Sequence, residues 1–120
     1  MSELAFEIEE IDVEKVKSLN DSFRREIYNS KLGLLHYTPM VSALNDEDRF
    51  ELTSLVQQFE DFNEDNDPYG EHDFGKIDFR GESYFFKIDY YDNALKYHSP
   101  DKSNPKLTKR VLTLMNTQEY

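Results

Sequence analysis

The sequence predicts an α+β domain: an antiparallel sheet of about three to four strands with helices mainly on one face, in the order α-β-α-β-β-β-α. Three observations lead there. Apolar residues recur at helical spacing in separate stretches of the chain. A Gly-Glu pair separates two runs in which apolar and polar residues alternate, the pattern of a hairpin. No repeat or low-complexity linker divides the 120 residues, so residues 1–120 read as a single domain, with 1–11 expected as a flexible or partly ordered segment.

Val13, Val16, Leu19, Phe23 and Ile27 form one apolar stripe of a first helix. Asp12 is its N-cap, Glu14 suits the helix dipole, and Asn29-Ser30 ends it. Leu32 to Tyr37, short and apolar, reads as a buried strand broken by Thr38-Pro39. Asn45 caps a second helix with Asp46, Glu47 and Asp48 in its first turn, and Leu52, Leu55, Val56, Phe59 and Phe62 form its buried face. That helix ends before Asn63, because Pro68 drives Asp67 out of helical conformation.

The hairpin runs from about Phe74 to Tyr91, with Gly81-Glu82 as a two-residue type II′ turn. Such a turn pairs Phe79 with Tyr84 and Ile77 with Phe86, and sets Gly75 opposite Ile88, all on one face. Lys76, Asp78, Phe85, Lys87, Asp89 and Tyr91 take the other, mixed and partly exposed face. Ala94 to His98 is expected as one more short strand and Ser99 to Pro105 as a polar loop. Ser103 or Asn104 then caps a last helix, with Pro105 at its start and Leu107, Val111, Leu114 and Met115 as its buried stripe.

Hydrophobic residues make up 38% of the chain and aromatics 14%, enough to fill one core and unlike a disordered chain. The absence of cysteine excludes disulfides, zinc-thiolate sites, iron–sulfur clusters and thiol nucleophiles. No apolar run approaches the roughly 20 residues that span a bilayer. The acidic start, Met1 to Glu7, has no secretory pattern, so a cytoplasmic location is expected. With 25 acidic and 14 basic residues the net charge is −11. That sign disfavours direct binding to nucleic acid, which needs cations to displace counterions, and disfavours anionic membranes. It favours basic partners, nucleic-acid-binding proteins among them. The cluster Lys102, Lys106, Lys109 and Arg110 reads as a solvated helix face, or as a partner of the acidic segment within the chain or across a homodimer.

The acidic segment runs from Glu60 to Asp73 and holds Glu60, Asp61, Glu64, Asp65, Asp67, Glu71 and Asp73 with no Lys or Arg. Asp61, Asn63 and Asp65 begin like a calcium loop, but Asn66 stands where that loop needs Gly and His72 where it needs a bidentate Glu. An EF-hand is thereby excluded, which leaves Asp65, Asp67 and Glu71 as candidates for a looser oxygen-ligand site. A catalytic reading makes His72 a general base with Asp73 or Glu71 as its partner, although no nucleophile elbow, phosphate-cradling glycine loop or His-x-x-x-His pair occurs. No cofactor is implied. A structural reading takes Asp67-Pro68-Tyr69-Gly70 as a sharp turn, with Asp65, Asn66 and Asp73 accepting bonds from nearby backbone N–H groups. A binding reading presents Asp61, Glu64, Asp65, Asp67, Tyr69, Glu71, His72, Asp73 and Tyr91 as a surface that imitates the charge of a phosphate backbone and occupies a basic groove. His36 reads as a core or edge residue and His98 as a loop residue.

Three blocks together carry a resemblance: Asp65-Asn66-Asp67-Pro68-Tyr69-Gly70-Glu71-His72-Asp73-Phe74-Gly75, then Lys87-Ile88-Asp89-Tyr90-Tyr91-Asp92, then Lys109-Arg110-Val111-Leu112-Thr113 through Glu119-Tyr120. From about Leu19 onward the chain resembles a bacterial family catalogued only as a domain of unknown function, many of whose members sit on plasmids and other mobile elements. Phe86 stands where that family usually has Trp, Asn116-Thr117-Gln118 replaces a more apolar stretch, and the strand near Leu32 lacks the usual pair of glycines. The resemblance implies no catalytic residue. It does imply a mobile-element setting, where small acidic proteins block host defences such as restriction or CRISPR complexes. The expected function is thus an acidic interaction or inhibitor protein that mimics nucleic acid. The alternatives are a small metal- or His-dependent hydrolase and an antitoxin-like regulatory homodimer.

Overall fold

Residues 12–120 are described by the structure, a computed structural model; the expectation for residues 1–11 lies outside the described residues. Helix α1 covers Val13–Arg25, and Asp12 caps it by accepting the Lys15 N–H at 3.0 Å. Strand β1 is Leu34–Tyr37. Helix α2 is a single turn at Pro39–Ser42, with Pro in the first helical position, where its missing N–H costs nothing. Helix α3 covers Asp46–Gln58, and the Asn45 side chain accepts the Asp48 N–H at 2.7 Å. Strands β2 (Phe74–Phe79), β3 (Glu82–Tyr91) and β4 (Lys109–Asn116) follow, and a 3₁₀ turn at Thr117–Glu119 ends the chain.

The fold class is α+β as expected, with a sheet in the order β1-β4-β3-β2. β2, β3 and β4 are antiparallel neighbours, whereas β1 runs parallel to β4, so the sheet is mixed. Phe23, Ile27, Leu52 and Val56 from the helical side pack with Tyr84, Phe86, Ile88, Leu112 and Leu114 in one core, which places α1 and α3 on the same face. Among the described residues the opposite face is open. It carries a small aromatic group in which Phe85 meets Phe74 and Tyr120 at ring separations of 5.0 and 5.2 Å.

The expected last helix is instead strand β4, so the element order is corrected at the C-terminal end. Val111, Leu114 and Met115 are spaced like one face of a helix, but burial follows a period of two through Thr108, Arg110, Leu112, Leu114 and Asn116. Three of those five are polar, which hides the strand pattern from a hydrophobicity reading. Ala94 to His98 is not a strand either: the chain turns there, with one bridge between Tyr91 and His98.

The hairpin is real, but its turn is Arg80-Gly81, with φ of 50° and 80°. Positive φ at both central residues is the type I′ geometry, whose twist matches the flanking strands. Phe79 therefore pairs with Glu82, Ile77 with Tyr84 and Gly75 with Phe86. The register differs from the expected one by two residues, so every side chain keeps its face. A Cβ at Gly75 would run into the rings of Phe86 and Phe59.

β1 lies at the sheet edge, with Leu34 and His36 exposed on the open face, so it is not the fully buried strand expected from its composition. In the helical stripes, Val13 and Leu55 are more exposed than expected, while Asn20, Arg24 and Thr53 are buried.

Candidate functional site

The acidic segment folds back over α1 and divides into an inner and an outer part. Its backbone is held by its own short side chains. Asn63 Oδ1 accepts the N–H groups of Asp65 and Asn66 at 2.9 and 3.2 Å, and Asn66 Oδ1 accepts that of Asn63 at 2.9 Å. Asp67 Oδ1 accepts the N–H groups of Glu71 and His72 at 3.0 and 3.1 Å. Loops that satisfy their own polar groups this way hold one conformation. Asn66 plays the structural role expected of it; Asn63 and Asp67 take the roles expected of Asp65 and Asp73.

The inner part is a buried polar network. Asn20 is fully buried, and its Nδ2 donates to the Glu71 carbonyl at 2.9 Å and to the Tyr90 hydroxyl at 2.7 Å. The Tyr90 hydroxyl in turn donates to Asp73 Oδ2 at 3.0 Å, and Arg110 Nε donates to Asn20 Oδ1 at 2.8 Å. Glu71, also buried, pairs with Lys102 Nζ at 2.6 Å. Burial pushes the Asp73 carboxyl above the usual aspartate range, and the charges of Glu71 and Asp67 add to this against the Tyr90 hydrogen bond. Burial likewise raises the Tyr90 hydroxyl, with the Asp73 charge as the next cause.

His72 closes the network on the α1 side. It has φ of 57°, a strained conformation for a non-glycine residue, and its ring stacks on Phe62 at a centroid distance of 3.9 Å. Its Nδ1 lies 2.9 Å from Asp21 Oδ1, and its Nε2 lies 3.7 Å from Asp67 Oδ2. Asp21 also accepts from Arg24 Nη1 at 2.9 Å. Burial alone would raise the Asp21 carboxyl, but the hydrogen bonds from His72 and Arg24 more than offset it and hold the group below its ordinary value. Both ring nitrogens of His72 thus face carboxylates, and among the described residues no hydroxyl hydrogen-bonds to the ring. This arrangement ties the acidic loop to α1.

The outer part is Glu60, Asp61, Glu64 and Asp65, all exposed, and Tyr69 of the same loop is 77% exposed. None of these four carboxylates takes part in the ion pairs of the described residues. Of the expected site residues, then, Asp67, Glu71, His72 and Asp73 face inward, while Asp61, Glu64, Asp65 and Tyr69 face solvent. Tyr91 points to the open face of the sheet, because side chains alternate along a strand and the network takes Tyr90. For the metal candidates, Asp65 faces away from Asp67 and Glu71, which serve internal partners. Among the described residues no three His, Cys, Asp or Glu side chains group as a metal site. No helix among them is long and apolar enough to cross a membrane.

Sequence reasoning missed Asn20, Asp21 and Arg24 of α1 and the structural roles of Lys102 and Arg110. One signal was present: Asn20 and Arg24 fall on the same stripe as Val16, Phe23 and Ile27, where a polar residue is buried and needs a partner. The three blocks that carry the family resemblance meet in this network, through Asp67 to Asp73, Tyr90 and Arg110.

Comparison with known proteins adds a family. No curated protein and no solved structure matches the chain. Residues 37–119, well over half of the chain, match the model of a protein family of unknown function, DUF3768. That span contains the acidic loop, the hairpin and β4, and the chain belongs to the DUF3768 family.

Proposed function

We propose that this chain is an acidic interaction protein whose outer loop carboxylates dock into a basic, nucleic-acid-binding groove of a partner, in the manner of an inhibitor of a host complex of the restriction or CRISPR type. The observation that carries this reading is the division of the acidic loop. Its inner residues are locked in a buried network. Glu60, Asp61, Glu64 and Asp65, exposed on a segment held by Asn63 and Asn66, take part in none of the ion pairs of the described residues, and Tyr69 of the same loop is exposed. Like charges on one short loop repel, so a surface of this kind is favourable where a partner supplies the opposite charge. A loop already fixed in one conformation also loses little entropy on binding. Tyr69 adds the residue type favoured at the energetic centre of interfaces. The acidic start of α3 contributes less, because Asp46 pairs with Arg49 and Asp48 with Arg80.

The reading is tested by immobilising the protein, capturing partners from the native host extract, and challenging the bound material with salt and with duplex DNA. A retained nucleic-acid-binding protein that both salt and duplex DNA displace is the expected result. Partners that neither agent releases would overturn the proposal.

A further inference from the structure

The geometry points to a second site, apart from the exposed rim of the acidic loop: a cationic cavity where β1 and β4 begin, built to take a phosphate-type oxyanion. The parallel pairing of these strands creates it. Leu34 lies opposite Val111, so the segments entering the two strands, Lys31 to Gly33 and Thr108 to Arg110, run side by side. Between them is a cavity of about 190 Å³, walled by Ser30, Lys31, Lys106, Lys109, Arg110 and other residues, none of which is a carboxylate. That composition is unusual for a chain with 25 acidic and 14 basic residues. The volume is several times what one water needs.

The unpaired lysines in its wall favour an anion there. Lys31, Lys106 and Lys109 are absent from the ion pairs of the described residues, although carboxylates are abundant in the chain. Arg110 is only 3% exposed, and its hydrogen bonds go to the neutral acceptors Asn20 Oδ1 and the Lys102 carbonyl. It also lies over the Tyr90 ring at 5.1 Å. That guanidinium is held in the buried network with the charge of Glu71 near it, so the unpaired charge at the cavity is that of the three lysines. The lysines are held by matching turns: Asn29 Oδ1 accepts the Lys31 N–H, and Asn104 Oδ1 the Lys106 N–H, each at 3.0 Å. Asn93 Nδ2 also donates to the Lys106 carbonyl at 2.9 Å. Charge-assisted hydrogen bonds from several cations are how proteins hold a tetrahedral oxyanion.

The test is a nuclear magnetic resonance titration of the isotope-labelled protein with inorganic phosphate and with ribose 5-phosphate, against sodium chloride at equal ionic strength. Saturable shifts of the Lys31 to Gly33 and Lys106 to Arg110 amides are expected with a phosphate probe and not with chloride. Tighter binding of ribose 5-phosphate would identify an organic monoester as the ligand source, and equal binding would identify free phosphate. Lys31 and Lys109 are exposed, so K31Q/K109Q keeps the fold, and it is expected to weaken phosphate binding at least roughly tenfold. K106Q provides an independent variant with the same expected direction. Shifts that fail to saturate at these amides, or that are the same in K31Q/K109Q, would overturn the assignment.

Discussion

Glu71 and Lys102 meet at 2.6 Å and join the acidic loop to the loop that feeds β4. The carboxylate is almost wholly buried, and the ammonium is a quarter exposed. Removing the cation leaves Glu71 charged and desolvated, which costs more than the pair contributes. Lys102→Met is therefore expected to destabilise the fold by about 2 kcal/mol. Adding Glu71→Gln to that variant recovers part of the loss. Urea unfolding of the two single variants and the double variant measures both effects, and a strictly additive double variant would show that the two groups do not interact.

Asn20 is the junction of the network, because it satisfies Arg110, Tyr90 and the Glu71 backbone at once. Asn20→Ala strands three buried polar groups and is expected to destabilise by about 3 kcal/mol. The same variant should speed amide exchange in residues 67–73, since their anchor to α1 is lost. Unchanged stability in this variant would show that the network does not hold the loop to α1.

Acid acts on Asp73 and Asp21 with opposite sign. The folded-state value of Asp73 is raised, so the folded form takes up a proton before the unfolded form does. The stability of wild type relative to Asp73→Asn should therefore rise as pH falls from neutral towards the unfolded aspartate value of about 3.9. The folded-state value of Asp21 is lowered. Its contribution is present above the unfolded value and is lost as pH falls below it, so wild type loses its advantage over Asp21→Asn only in that more acid range. Unfolding midpoints across a pH series distinguish the two slopes, and matching slopes would contradict the assignment.

Gly75 faces Phe86 across the hairpin, with Phe59 over both. Gly75→Ala forces these rings apart and is expected to cost about 2 kcal/mol, read as a lower thermal midpoint. An unchanged midpoint would mean that the aromatic layer has room to spare.

Elements specified by local chemistry were legible in the sequence. Asp12 and Asn45 cap the helices that their positions announce, and the alternation around Ile77 and Phe86 assigns each side chain of the hairpin to its proper face. The turn was misplaced because Arg80 takes a positive φ, which is uncommon for arginine. The strand pattern of β4 is hidden because Arg110 and Asn116 take buried positions on it and Thr108 takes one just before it, and the partner of Arg110, Asn20, lies 90 residues away. The parallel pairing of β1 and β4 spans most of the chain and has no local signal. For the candidate site, the acidic loop and His72 were visible as residues. Which carboxylates turn inward was not, since that depends on Asn20, Asp21 and Lys102, each about thirty or more residues away from the groups they bind.

If the exposed rim of the acidic loop forms the interface, binding must depend on where on the surface charge is removed. One variant neutralises Glu60, Asp61, Glu64 and Asp65 as their amides. Its control neutralises Glu14, Glu26, Asp78 and Glu82, also exposed, so that both carry the same net charge. The loop variant is expected to lose the DNA-displaceable partner captured by the wild type, while the control keeps it. Equal retention by the two variants would show that bulk charge, and not this loop, does the binding.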